Sequence, residues 1–254
     1  MKIKLSWSAY DRWKKCPHIF NLYHILHEGY EIDRKRNRAN TVYGSVIQEI
    51  FSRFYNDRLW TKKNCVAFLQ KELLPQIWEF VLKNIYVDWD DFNLSAEEVF
   101  QSLENDIPAI IGILQEKELY SYEGLQRSEV KLAKRLYDDY FLTGKIDFLL
   151  NFKGKRTLLD GKSTKDVNED QLYFYAILHK KIFGNYPDQI GFLFYRESEL
   201  KLLDFNISRA EEIEKDIEKL IQMIETLQFD ATPSEEKCSS CLFNEICEFR
   251  ISPK

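Results

Sequence analysis

The chain has 254 residues, 44% of them hydrophobic and 30% charged, with 9 Gly and 6 Pro; it can bury a sizeable core and is excluded from the low-complexity and tail-bearing classes. A net charge of −5 excludes a protein that is basic overall, so any contact with nucleic acid has to be local. Five cysteines, an odd number, point away from a disulfide framework and toward metal or reactive thiols. The scattered charges of MKIKLSWSAYDRWKKCPHIF read neither as a signal peptide nor as a membrane span, so an intracellular location is expected.

Between Ser8 and Leu26, Tyr10, Trp13, Ile19, Phe20 and Tyr23 recur at helical spacing, and Pro17 interrupts them; two short helices or one broken helix are predicted. Ile47, Ile50, Phe51 and Phe54 form the buried stripe of a second helix over Tyr43 to Tyr55. Stretches near 66–86 and 95–120 also read as helical and would form an insert at about residues 60–120. From Ser128 the pattern changes: Glu129 to Leu136, Phe141 to Phe152 and Arg156 to Ser163 are short, aliphatic and broken by Gly, which predicts strands. Helical periodicity returns over Asn168 to Phe183, strands follow at Gln189 to Tyr195 and Leu200 to Phe205, and a helix runs from Ser208 to Leu227. Ser208 and Glu211 there have the spacing of a capping box. This order predicts an α/β or α+β core, a central mixed sheet flanked by helices, in one domain over residues 1–254.

The stretch YFLTGKIDFLLNFKGKRTLLDGKSTK carries the chemistry. If its two strands turn at Lys153-Gly154, Phe152 faces Lys155, and the same register sets Asp147 opposite Asp160. Directly opposed residues have β-carbons roughly 4.5 to 5.5 Å apart, where two like charges repel. A divalent cation turns that repulsion into binding, because Mg²⁺ and Mn²⁺ prefer carboxylate oxygens. Strand periodicity puts Lys162 on the face of Asp160, so one hairpin supplies two acidic ligands and an ammonium, a set suited to phosphodiester hydrolysis. Glu129 on the preceding strand could add a carboxylate. Basic clusters at Lys131, Lys134 and Arg135, at Lys153, Lys155 and Arg156, and at Lys162, Lys165, Lys180 and Lys181 are either solvated faces or a phosphate track.

Cys238 and Cys241 have two residues between them, and Cys247 follows in a short segment after Pro233. Such a trio can share one metal centre and lacks a fourth ligand. Cys16, held beside Pro17, suits that role better than Cys65, which reads as a small buried apolar residue. The spacing lacks the second Cys-x-x-Cys pair or paired histidines of common zinc modules, so an iron-sulfur cluster leads over zinc.

The ordered set LSWSAYDRWKKCPHIF, GSVIQEIF, GKIDF, LLDGKSTK, QLYFY and CSSCLFNEIC resembles the RecB-like, iron-sulfur branch of the PD-(D/E)XK nucleases, which includes CRISPR-associated nucleases and the AddB nuclease domain. The resemblance implies a restriction-endonuclease-like core, Asp147 and Asp160 as ligands of Mg²⁺ or Mn²⁺, and Lys162 as the catalytic lysine. It further implies roles for Gln171 and Tyr175, and Cys16, Cys238, Cys241 and Cys247 as ligands of a [4Fe-4S] cluster in a terminal region reaching over 233–250. Where the family presents a histidine to the metal, this chain has Gln48, a neutral and weaker ligand; Glu49 is about 100° round the helix. The activity expected is a metal-dependent exonuclease on single-stranded DNA or DNA ends, with CRISPR or recombination proteins as partners and no membrane. The rival expectations are a catalytically weak DNA-end-binding scaffold and a zinc-stapled protein unrelated to nucleases.

Overall fold

The computed structural model describes residues 2–27, 39–84, 89, 95–116, 127–137 and 139–251, without the side chains of 39–41 and 127–129. The first strand, β1 (Ile3–Leu5), leads into α1 (Trp7–Lys15), α2 (Pro17–Phe20) and a wide turn of helix at Asn21–Ile25. Ser6 caps α1 by accepting the Ala9 N–H at 3.3 Å, and Cys16 breaks the helix with an extended backbone before Pro17 starts α2. This is the broken helix that the proline predicts.

Next come α3 (Ala39–Asn56), α4 (Cys65–Phe68), α5 (Leu74–Asn84) and α6 (Ala96–Glu116). The expected helical stretch beyond Asn84 and beyond Glu116 lies partly outside the described residues. The sheet strands β2 (Arg127–Arg135), β3 (Tyr140–Phe152) and β4 (Lys155–Lys162) follow, then α7 (Asp170–Phe183), β5 (Gln189–Phe194), β6 (Glu199–Leu203), α8 (Ile207–Thr226) and the short α9 (Glu235–Ser239).

The chain forms a mixed sheet flanked by helices. β3 is its longest strand and takes β2 antiparallel along one edge. On its other edge it takes β1, parallel, at Tyr140–Leu142 and β4, antiparallel, at Phe148–Phe152. β4 then pairs parallel with β5 after the α7 crossover, and β5 antiparallel with β6. The hydrophobic core lies in two layers. Phe148, Leu150, Phe152, Leu159, Leu193 and Tyr195 pack with α3 to α6. Leu142, Ile146, Leu149, Leu158, Phe192 and Phe194 pack with α1, α7 and α8.

Two features differ from the sequence reading. β1 was not predicted, because three residues are too short to show a period. The cap of α8 is Asn206, whose side chain accepts the Arg209 N–H at 3.3 Å; Ser208 lies inside the first turn, so the expected capping box is corrected. Among the described residues no helix is long and apolar enough to cross a membrane.

Candidate active site

The hairpin between β3 and β4 fixes the site. Lys153 and Gly154 both have positive φ, 51° and 78°, as a two-residue type I′ turn requires. Phe152 therefore faces Lys155, and the ladder continues without a slip to Phe148 opposite Leu159. It ends there. On the β4 edge, residues 143–147 of β3 have no strand partner, since pairing with β1 stops at Leu142 and pairing with β4 starts only at Phe148. The strand also changes face at this point: Ile146 joins the α7 layer and Phe148 the α3 layer, although strand alternation would put both on one side.

Asp147 stands at this break. Its Oδ2 accepts the Gly161 N–H at 2.8 Å, closing the gap with a side chain where a ladder bond would otherwise run. Asp160 is 3% exposed, and its Oδ1 accepts from Gln171 Nε2 at 3.1 Å. Lys162 Nζ lies 2.7 Å from Asp160 Oδ2 as an ion pair, and no donor is aligned on that oxygen in hydrogen-bond geometry. Lys162 donates instead to Gln171 Oε1 at 2.8 Å. Gln171 thus grips the acid and the base of the same strand with the two ends of one amide.

The helix places Gln171 one turn before Tyr175, whose hydroxyl oxygen accepts from Gln171 Nε2 at 3.2 Å. A bidentate pair of Arg209 with Asp170, at 2.8 and 2.6 Å, ties the start of α7 to α8 and holds that turn in place.

Burial sets the electrostatics. It pushes the Asp147 carboxyl up to about 7, with the Asp160 charge adding to the rise and the Gly161 N–H, Lys162 and Lys145 opposing it. Burial also raises Asp160, against the pull of Lys162. Two buried acids with one ammonium form an acid-rich centre that a cation stabilises. The donor set therefore fits a divalent metal.

Residues 4–248 match the PD-(D/E)XK nuclease superfamily. The chain belongs to that superfamily. PD-(D/E)XK proteins are metal-dependent nucleases, which accords with two carboxylates and a lysine on one hairpin. No curated protein matches the sequence. Among solved structures, the crystal structure of SSO0001 is 13% identical, with 82% of this chain and 98% of that chain covered and a TM-score of 0.32; at that score the likeness adds no weight.

Gln48 is half-buried on α3, one turn before Phe51, and hydrogen-bonds neither Asp147 nor Asp160. Glu49 pairs with Arg53 on the helix surface at 2.9 Å. Glu129 lies in β2, and its side chain is outside the described residues. The basic clusters are largely self-paired: Lys180 and Lys181 with Glu214, Arg156 with Asp188, Lys165 with Glu199.

Cys16, Cys238, Cys241 and Cys247 line one small cavity between α2 and the segment around α9. Backbone N–H groups aim at two of the sulfurs, Thr232 at Cys16 (3.3 Å) and Phe243 at Cys241 (3.4 Å). Burial and the other three cysteines raise the Cys241 thiol, although the Phe243 N–H opposes them. Among the described residues, no three His, Cys, Asp or Glu side chains converge tightly enough to hold a single metal ion. Cys65 is buried among the α3 to α6 layer, as a small apolar residue.

Sequence reasoning missed Tyr195. It follows β5, is 3% exposed, and packs its ring on Phe51 with centroids 5.1 Å apart. A methyl group on Gly161 would overlap its hydroxyl oxygen. The only signal in the sequence was the glycine between Asp160 and Lys162, which leaves room for that oxygen.

Proposed function

We propose that this chain hydrolyses DNA phosphodiester bonds with Mg²⁺ or Mn²⁺ held by Asp147 and Asp160, acting as an exonuclease on single strands or DNA ends. The observation that carries the reading is the shared grip of Gln171 on Asp160 and Lys162, next to a second buried carboxylate. When bound, a divalent cation polarises the phosphoryl oxygen and acidifies the attacking water. Asp147 and Asp160 supply its anionic ligands. Lys162, steadied by Gln171, presents its ammonium to the negative charge that develops on the phosphate. Tyr175 fixes the Gln171 amide, so the helix acts by positioning and not by touching the reacting atoms.

We also assign the chain to the RecB-like, iron-sulfur branch, with Cys16, Cys238, Cys241 and Cys247 holding a structural [4Fe-4S] cluster. Support comes from the four thiols on one cavity and the backbone N–H groups directed at two of them. The spacing of the four cysteines, without the second Cys-x-x-Cys pair or paired histidines of common zinc modules, favours the cluster over a lone zinc ion. In this reading the insert at about 60–120 and the cluster segment 233–250 belong to one domain, and CRISPR or recombination proteins are its partners.

The test is a cleavage assay on end-labelled single- and double-stranded DNA across Mg²⁺ and Mn²⁺, with iron and zinc quantified on anaerobically purified protein. Cation-dependent shortening of single strands from an end, with stoichiometric iron and brown colour, is the expected result. DNA binding without cleavage would leave the scaffold reading standing, and stoichiometric zinc would replace the cluster.

A further inference from the structure

Strand alternation divides the side chains of β2 and β3 between two faces of the sheet. Leu142 and Ile146 of β3 belong to the layer of α1, α7 and α8, and Val130 and Leu132 of β2 pack against it. Phe141, Thr143, Lys145 and Lys131 therefore point the other way. Lys131 is the direct cross-strand partner of Lys145, and Lys4 of β1 that of Phe141. Because Ile3 and Leu5 also pack in the α7 layer, Lys4 turns to the same outer face. The helices α3 to α6 cover that face only toward the hairpin turn, since every strand residue in their layer lies at Phe148 or beyond. Before Asp147 the face is reachable from solvent: Lys4 and Lys131 are exposed, and Phe141, Thr143 and Lys145 are half-buried.

Phe141 joins neither core layer among the described residues, so its ring does not serve as packing there. Lys131 makes no ion pair among the described residues, whereas Lys165, Lys180 and Lys181 are met by Glu199 and Glu214. Lys145 lies two residues before Asp147, and its charge opposes the rise of that carboxyl, so the lysines run up to the acidic pair. From Phe141 to Asp147 the strand spans about 20 Å, a path for several nucleotides. An aromatic ring set among ammonium groups is the chemistry that holds a single strand, with a base stacked on the ring and phosphates on the cations. In a duplex the base faces are already covered by their neighbours.

We infer that this face, with Lys4, Phe141, Lys131 and Lys145, binds a single-stranded stretch of the DNA substrate, one base stacked on Phe141 and the phosphates on the lysines, and leads it to Asp147. The inference rests on the nuclease reading above and deepens it by naming the surface that takes the strand.

The experiment measures binding of a fluorescent oligothymidine and of a covalently closed duplex to the whole chain by anisotropy, over a range of salt, with chelator present to prevent cleavage. Lys131→Ala is expected to weaken oligothymidine binding by about 3- to 10-fold and to reduce the slope of log affinity against log salt by about 0.7, the share of one phosphate contact on a single strand. Phe141→Leu is expected to weaken it by about 5- to 20-fold at unchanged slope, with the duplex unaffected. Lys83→Ala, which removes an exposed charge from α5, should bind as the parent does. Unchanged binding in either Lys131→Ala or Phe141→Leu, in a parent that cleaves with Mn²⁺, overturns the inference and leaves the nuclease reading intact. A loss on the duplex equal to that on the single strand in Phe141→Leu also overturns it, because paired bases offer the ring no free face. Should Phe141→Leu melt below the parent, the Lys131→Ala slope alone decides. A parent that neither binds DNA nor cleaves it removes the nuclease reading, and the inference with it.

Discussion

The carboxylate centre and the cysteine cavity are assembled over very different lengths of chain. Asp147, Asp160 and Lys162 come from one hairpin, whose ladder is set by a two-residue turn at Lys153-Gly154 and runs as far as Phe148 opposite Leu159, just short of the two aspartates. At the cavity, by contrast, Cys16 receives its hydrogen bond from Thr232, 216 residues away along the chain. The first is a local structure whose geometry is decided once the turn and the strand pattern agree. The second exists only when the first and last elements have docked, so any group held there closes nearly the whole chain as a loop. Burial differs only in part: Asp147 and Asp160 are sealed in the core, and of the four cysteines Cys16 and Cys238 are buried while Cys241 and Cys247 are half-exposed. The acidic pair thus lies on the part of the fold that is easiest to specify, and the cysteine cavity on the part that is hardest.

Variants that separate function from closure probe this contrast most sharply. Lys162→Ala should lower DNA cleavage by about 100- to 1,000-fold, with melting and iron content unchanged, because the ammonium is half-exposed at the rim and packs little. A variant that digests DNA as fast as the parent would remove Lys162 from the site. Cys238→Ala should do the reverse in kind, losing the bound iron and dropping Tm by on the order of 10 °C as the long loop opens. Retained thermal stability in that protein, measured by calorimetry, would show that the termini stay docked without a cluster.

The same contrast explains what the sequence disclosed. The hairpin was legible because alternation, Gly154 and the two aspartates all agree on one register, and the strand order and helix order followed from periodicity. The pairing of Gln171 with both Asp160 and Lys162 was not legible. It depends on where α7 docks after its crossover, which no local pattern encodes. Gln48 shows the same limit from the other side: its motif suggests a ligand, yet only the rotation of α3 decides what its side chain meets. Tyr195 was invisible because a tyrosine ending an apolar strand reads as core. The α8 cap was misjudged by two residues, since Asn206 and Ser208 are both good N-caps and only the backbone chooses.

The buried acids make a third, smaller effect, visible in pH dependence. Asp147 is held up to about 7 in the folded chain against 3.8 ordinarily, chiefly by burial and then by Asp160. With the folded value raised, the two states bind protons equally below about pH 4. Stability is then lost as pH rises toward 7, where the folded carboxyl must give up its proton at a cost. In metal-free protein, Asp147→Asn should therefore gain on the parent between pH 5 and pH 8, the difference growing by on the order of 1 to 3 kcal/mol. Saturating Mn²⁺ should close this gap by stabilising the parent alone. Denaturant unfolding at the two pH values, with chelator and with Mn²⁺, reads both effects; a difference that stays flat with pH would mean the carboxyl is already ionised without penalty.

The smallest effect tests the claim that the turn specifies the site. Lys153 carries a side chain at φ 51°, a conformation in which most residues are strained and asparagine is well tolerated. Lys153→Asn creates the Asn-Gly pair favoured in type I′ turns while leaving Phe152 opposite Lys155. It should stabilise the protein by about 0.5 kcal/mol, a rise in Tm of roughly 1 to 2 °C, because strain at the left-handed position is relieved. Cleavage should not change, since Lys153 is exposed at the far end of the hairpin from Asp147 and Asp160. Altered cleavage at unchanged stability would mean that the turn feeds the carboxylates by some route other than register, and the contrast between local and remote assembly would then have to be redrawn.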